Sequence, residues 1–197
     1  MIKAIDFLNQ NTNDAMFKLH GPVNLKLTQT GKIDPNVKPE QHYFSLGKQI
    51  YPYLLVNMRS GTTFHRVDGP DSFVRVGGST IGLGLAMGFC RYRGQHNPTE
   101  LVESASKGDS SKIDMSVGDI YGGSYQGLGF PSNMIASSFG RLKTHDDRNG
   151  VSEADIARSL LTLVAGNALI YSKLFAELQN IKRVVWIGGH MNSLEYM

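Results

Sequence analysis

Cysteine occurs once in these 197 residues, tryptophan once, and charge of either sign is sparse. Cys90 sits alone in an apolar setting (GLAMGFCRY), which excludes a disulfide framework or a cysteine metal site and reads as a small buried hydrophobe. Lys and Arg number 20 against 17 Asp and Glu, a formal net charge of +3, and no basic run exceeds two residues. Nucleic-acid binding therefore has no electrostatic footprint. No apolar stretch approaches the ~20 residues of a membrane span, and the N-terminus lacks a signal-peptide pattern, so a cytoplasmic protein off the membrane is expected. Catalytic signatures are missing too. GxxxxGK[ST], HExxH and GxSxG are absent, which excludes a P-loop NTPase, a zincin and a serine-hydrolase elbow. His20, His42, His65, His96, His145 and His190 stand isolated, so no metal ligands are assigned.

What is present is an ordinary hydrophobic share, 41%, on a chain long enough for a proper core. Residues 2–9 read as a short helix without an N-cap, and 20–50 as an irregular, proline-containing excursion with one strand near 24–28. Strands follow near 52–58, 62–67 and 72–76, then helices over 82–92 and from Pro98 through Ala105. Glycines at 118, 122, 123, 127 and 129 mark residues 118–131 as loop. Ser152 with Asp155 three residues on makes a capping-box start for a helix running to about Leu178, and a strand over 183–187 enters Gly188-Gly189. Helices alternating with strands make the chain α/β or α+β. The division drawn is 1–50, a helix plus the excursion, and 51–197, one lobe.

The densest segment is 53–88. Its strand–turn–strand hairpin leads to Gly77-Gly78-Ser79-Thr80-Ile81-Gly82-Leu83-Gly84, four glycines and two hydroxyls in eight residues. Glycine lets backbone approach a ligand closely, and inward N–H groups before a helix start favour phosphate. Gly82-x-Gly84-x-x-x-Gly88, with Glu103 about twenty residues on, imitates a dinucleotide fingerprint. It is set aside because six residues separate Val76 from Gly82, whereas that fold places the first glycine at the strand end. The hairpin, paired with the late hydrophobic strand ending in Gly188-Gly189, resembles the actin-like ATPase (ribonuclease H-like) architecture: a lobe with a mixed β-sheet flanked by helices.

Residues 106–140 carry a sharper resemblance. Lys107-Gly108-Asp109, Asp119-Ile120-Tyr121-Gly122-Gly123 and Ala136-Ser137-Ser138-Phe139-Gly140 stand in the order found in the eukaryotic-type (type II) pantothenate kinases. Leu55-Val56-Asn57-Met58, Ser60-Gly61, Arg75-Val76, the helix from Ser152 and Val184-Val185 also align, so the resemblance covers about 50–191. It implies transfer of the γ-phosphoryl of ATP, with Mg²⁺, to pantothenate at the start of coenzyme A synthesis. It assigns Ser60, Thr63 and Arg75 to pantothenate, or to an acyl-CoA such as acetyl-CoA acting as feedback inhibitor. Gly61, Gly77, Gly78, Ser79, Thr80, Gly82 and Gly84 fall to the nucleotide phosphates, and Gly188 and Gly189 to adenosine. It further implies a homo- or heterodimer through helix 152–178.

The chain departs from that pattern in three ways. Arg59 replaces the first glycine of a Gly-Ser-Gly turn, which would cost about 1–2 kcal/mol if φ were positive there. Leu83 and Leu85 stand where small or polar residues are usual. The family's N-terminal phosphate loop and catalytic carboxylate have no counterpart, and its closing helix and strand are not reached, so no catalytic residue is assigned. The expectation is an incomplete chain, inactive alone. The alternative is a non-catalytic partner or acyl-CoA-binding subunit; another kinase of the superfamily fits residues 106–140 less well.

Overall fold

The computed structural model describes residues 17–19, 41–43, 50–94, 98–125, 127, 129–144 and 150–188. The expected helix over 2–9, the strand over 24–28 and Gly189 lie outside the described residues. Phe17–Leu19 (β1) and Gln41–Tyr43 (β2) pair antiparallel.

The main sheet grows from Tyr53–Met58 (β3), whose near-continuous apolar run suits a strand covered on both faces. Thr62–Gly69 (β4) pairs antiparallel with it, Ser72–Ser79 (β5) pairs antiparallel with β4, and Val184–Ile187 (β8) lies parallel to β3. Sheet order is β5-β4-β3-β8. One departure from expectation matters: β5 runs to Ser79 rather than ending at Val76. Gly77 and Gly78 are therefore strand, and the glycine loop shrinks to Thr80–Gly82. The spacing used against a dinucleotide fingerprint is thus shorter than supposed. The fingerprint still fails, because β5 belongs to an antiparallel hairpin rather than to a parallel βαβ unit.

Helices Leu83–Tyr92 (α1) and Pro98–Lys107 (α2) pack against Glu153–Leu178 (α5), which lies on β3 and β4. Leu54, Val56 and Phe64 pack with Phe175, Ala176 and Ile181 on the α5 side, while Tyr53, Leu55 and Val67 pack with Ile50 on the opposite side. Met58, Leu83, Ala86, Cys90 and Leu101 join Leu160, Leu161 and Val164 in the largest core cluster. Cys90 is buried, as its context predicts, and burial followed by the nearby Glu153 charge pushes its thiol up. At 26 residues α5 is long and apolar enough to cross a membrane by length and composition, contrary to the sequence reading. Nine of its residues are nevertheless buried in this layer, the packing of a core helix.

The capping box starts α5 as expected: the Asp155 amide donates to the Ser152 hydroxyl and the Ser152 amide to Asp155 Oδ2. The loop expected over 118–131 opens inside a short helix, and regular elements flank it on both sides. A two-residue strand Met115–Ser116 (β6) pairs with Ile135–Ser137 (β7), and short helices Val117–Tyr121 (α3) and Gly140–Thr144 (α4) flank them. Ser116 and Asp119 form a second capping box at α3, a signal overlooked beneath the glycines that follow.

Candidate functional site

Strands β3 and β4 meet in a turn at Arg59-Ser60-Gly61, closed by the Arg59 amide donating to the Gly61 carbonyl at 2.8 Å. The start of α1 seats directly on this turn. The Leu83 amide donates to the Arg59 carbonyl at 2.8 Å, and the Gly84 amide to the Ser60 carbonyl at 3.1 Å. Those are first-turn N–H groups that a helix leaves unsatisfied and that a phosphate could otherwise take. Here turn carbonyls hold them, so the α1 N-terminus is not the anion site expected. Gly82 and Gly84 permit this seating: a Cβ would come within 2.6 Å and 2.8 Å of the Ser60 carbonyl oxygen. Thr62, buried, ties the same junction by donating from its hydroxyl to the Ile81 carbonyl at 2.9 Å.

Two of the departures look different in three dimensions. Arg59 is not among the residues with positive φ, so it carries no left-handed strain. Leu83 is 8% exposed and points into the core, whereas Leu85 is 41% exposed; neither lines the cleft described next.

A cleft of about 410 Å³ opens beside the turn, lined by Asn57, Arg59, Ser60, Gly61, Thr62, Thr63, Arg75, Gly78, Ser79 and Thr80. That volume falls in the range of small-molecule sites. A β-bulge decides its chemistry. Phe64 pairs with Gly77 and His65 with Arg75, so Val76 is the extra residue. Without it Arg75 would oppose Arg66, which reaches the α5 side, where its Nη1 donates to the Gln179 carbonyl. The bulge instead sets Arg75 opposite His65, on the face shared by Asn57, Thr63 and Gly78. Arg75 Nε donates to the Gly77 carbonyl at 3.3 Å, and its guanidinium lies over Gly78, where any Cβ would collide with it. Glycine at 78 gives the guanidinium that position. His65 is held below its ordinary pKa by burial and then by the Arg75 charge, so it is neutral at pH 7.

Ser60, Thr63, Arg75, Gly61, Gly78, Ser79 and Thr80 therefore meet in one cleft. Gly77, Gly82, Gly84 and Gly188 are not in its lining. A Cβ on Gly77 would strike the Phe175 ring, a packing requirement against α5. Asn57 and Thr62 are lining residues that sequence reasoning passed over; the Thr62 hydroxyl is spent on Ile81, which leaves Asn57. Its Oδ1 is buried without a hydrogen-bond partner, and its signal was a polar residue near the end of the apolar run YLLVNM. No carboxylate lines the cleft, and no cluster of His, Cys, Asp and Glu suited to a metal occurs among the described residues.

Asp155 and the carboxylates of residues 106–140 bond within the fold, away from this cleft. Asp155 Oδ1 accepts from the Asp109 amide at 2.7 Å, and its Oδ2 accepts from Lys112 Nζ at 3.1 Å. Burial pushes the Asp155 carboxyl up, but the Ser152 and Asp109 amides, the Ser152 hydroxyl and Lys112 outweigh it and bring it down to about 2. The Ser116 amide and hydroxyl, with help from Arg141, hold Asp119 below the usual carboxylate range. Asp114, 3% exposed, accepts at Oδ1 from the Ser159 hydroxyl and the Phe139 amide, leaving Oδ2 unpartnered.

Comparison with known proteins adds to this geometry. The Fumble family matches residues 1–197. The Mus musculus protein named 4'-phosphopantetheine phosphatase is 39% identical over 152 residues, which is 77% of this chain and 18% of that protein. From Arabidopsis thaliana, Pantothenate kinase 2 is 37% identical over 171 residues, covering 83% of this chain and 18% of the relative. Pantothenate kinase 1 is 37% identical over 150 residues, covering 75% and 39%. The chain thus spans less than half the length of each of these relatives.

Proposed function

The chain belongs to the Fumble family, and on that premise we propose that it is a pantothenate kinase-type protein whose cleft binds pantothenate beside the phosphates of ATP. The observation that carries this reading is the convergence of Ser60, Thr63 and Arg75 with Gly61, Gly78, Ser79 and Thr80 on one cleft. Arg75 offers a planar fork to the vitamin's carboxylate. Ser60 and Thr63 can each donate and accept toward its hydroxyl and amide groups. Ser79 and Thr80, at the end of β5, offer hydroxyls toward phosphate. The actin-like reading of the lobe is supported by the antiparallel run β5-β4-β3 with β8 parallel to β3.

Phosphoryl transfer rests on positioning and on neutralising phosphoryl charge. It also needs a group to take the proton of the attacking hydroxyl. No carboxylate among the described residues lines the cleft, which supports a base supplied from elsewhere and an isolated chain that does not turn over ATP. The lining of hydroxyls and guanidiniums does not suit a protein-held divalent cation; Mg²⁺ belongs to the MgATP substrate. Acyl-CoA competes with pantothenate for the same pocket. The exposed row Ile170, Leu174 and Leu178 on α5, at i, i+4, i+8 spacing, supports a dimer through that helix.

A coupled assay tests the catalytic half: the purified chain gives no pantothenate-dependent ATP turnover, and measurable turnover would refute it. Calorimetry tests the binding half. Arg75→Ala weakens pantothenate roughly tenfold or more, and an unaltered affinity removes the pocket assignment. The carboxylate-free lining also favours a second reading, a non-catalytic acyl-CoA-binding partner. Acetyl-CoA binding without detectable binding of ATP selects it.

A further inference from the structure

Pantothenate carries one negative charge, but the cleft presents two guanidinium groups. Arg59 and Arg75 both line it, and neither takes part in an ion pair among the described residues. Around them stand the hydroxyls of Ser60, Thr63, Ser79 and Thr80, and among the described residues no carboxylate lines the cleft to balance either cation. Arg75 is fixed from behind by its bond to the Gly77 carbonyl and by its seat on Gly78. Arg59 is exposed and projects from a turn whose backbone is pinned: its amide is bonded to Gly61 and its carbonyl to Leu83. The turn thus holds the Cα of Arg59 in place and leaves its long side chain free to reach a ligand.

We infer that Arg59 binds a phosphoryl group held in the cleft next to the ligand whose carboxylate Arg75 takes. A phosphate monoester carries about −1.5 to −2 charges at neutral pH and three acceptor oxygens, the partner a second, unpaired guanidinium fork lacks. Two sources supply that chemistry: a phosphomonoester of the pantothenate class, with the phosphate on the vitamin itself, or the terminal phosphate of a nucleotide. In either case Arg59 sets specificity, separating phosphorylated from unphosphorylated occupants. This inference deepens the reading of the cleft as a pantothenate site and rests on it only for the role of Arg75.

Calorimetry on the full chain at low and at 0.3 M salt tests it, with pantothenate, 4'-phosphopantothenate and MgATP as separate probes. Arg59→Gly and Arg59→Gln are compared with the parent, and circular dichroism checks that each is folded. The expected result is that both variants lower the affinity for 4'-phosphopantothenate or MgATP, relative to pantothenate, by roughly tenfold or more. Loss in the phosphopantothenate arm alone assigns the phosphate to the vitamin; loss in the MgATP arm alone assigns it to the nucleotide. If pantothenate does not bind but a phosphorylated probe still depends on Arg59, the vitamin reading falls and the phosphoryl site stands. Failure of both phosphorylated probes to bind, or affinity ratios that stay the same in both Arg59 variants, overturns the inference whatever pantothenate does.

Discussion

Two regions of this chain are dense in motif, and they use their polar groups in opposite ways. Around Asp155, residues 106–140 dock on α5 through bonds that nearly close the inventory of polar groups. Asp155 accepts from two backbone amides and Lys112, and Asp119 accepts from Ser116 and Arg141. Only Asp114 keeps an unpartnered buried oxygen there among the described residues. Around the β3–β4 turn, the glycines and helix amides are equally occupied, yet Arg59, Arg75 and Asn57 face a cleft with hydrogen-bonding capacity to spare. The lesson is that motif density marks both regions, while unspent polar groups mark the one proposed to bind. Charges satisfied inside the fold hold it together; charges left without an ion pair at a concave surface await a ligand.

The sharpest way to break the structural side of this contrast is Gly108→Ala. A Cβ there would run into the Ala154 carbonyl in the first turn of α5, where backbone cannot step aside. The variant is expected not to fold cooperatively, read as loss of the urea transition. Asp155→Ala comes next. It strands a lysine and two amides, one of them half of the α5 capping box, and lowers stability by about 3 kcal/mol. The same carboxyl gives a pH signature. Its folded pKa of about 2 lies below the ordinary 3.8, so its contribution is complete above the unfolded value. It is lost as pH falls from about 5 toward 2, and amounts to on the order of 2 kcal/mol. Urea midpoints measured between pH 6 and pH 2.5 should decline in the parent more than in Asp155→Ala; parallel curves would show the carboxyl is not held this way.

The leucine pair tests the cleft side with smaller effects. Leu83→Ala removes a core contact and costs about 2–3 kcal/mol, whereas Leu85→Ala shifts stability by less than about 0.5 kcal/mol and leaves nucleotide affinity as it was. A large loss of nucleotide binding in Leu85→Ala would return that side chain to the cleft and undo the distinction.

Much of this was legible in the chain. Strands 52–58 and 62–67, the helices from Leu83, Pro98 and Ser152, and the capping box at Asp155 all follow from neighbours within four residues of one another. Asp119 was legible and was missed, because the glycines at 122 and 123 drew attention to turn rather than to the cap before it. Ser60, Thr63 and Arg75 came from a resemblance, and nothing in their own spacing shows that they share a cleft.

What the sequence determined by itself was local: where elements start, where an apolar run requires burial, and where glycine is demanded. Whether that demand came from a ligand or from the fold's own packing lay beyond it. Tertiary structure decided which face each side chain takes and which partner each amide finds. The physical reason is the two-residue period of a strand, by which one added residue reverses a side chain's direction. The bulge residue Val76 carries Arg75 to the cleft, and the carbonyls of Arg59 and Ser60 take the helix amides that a phosphate would have used.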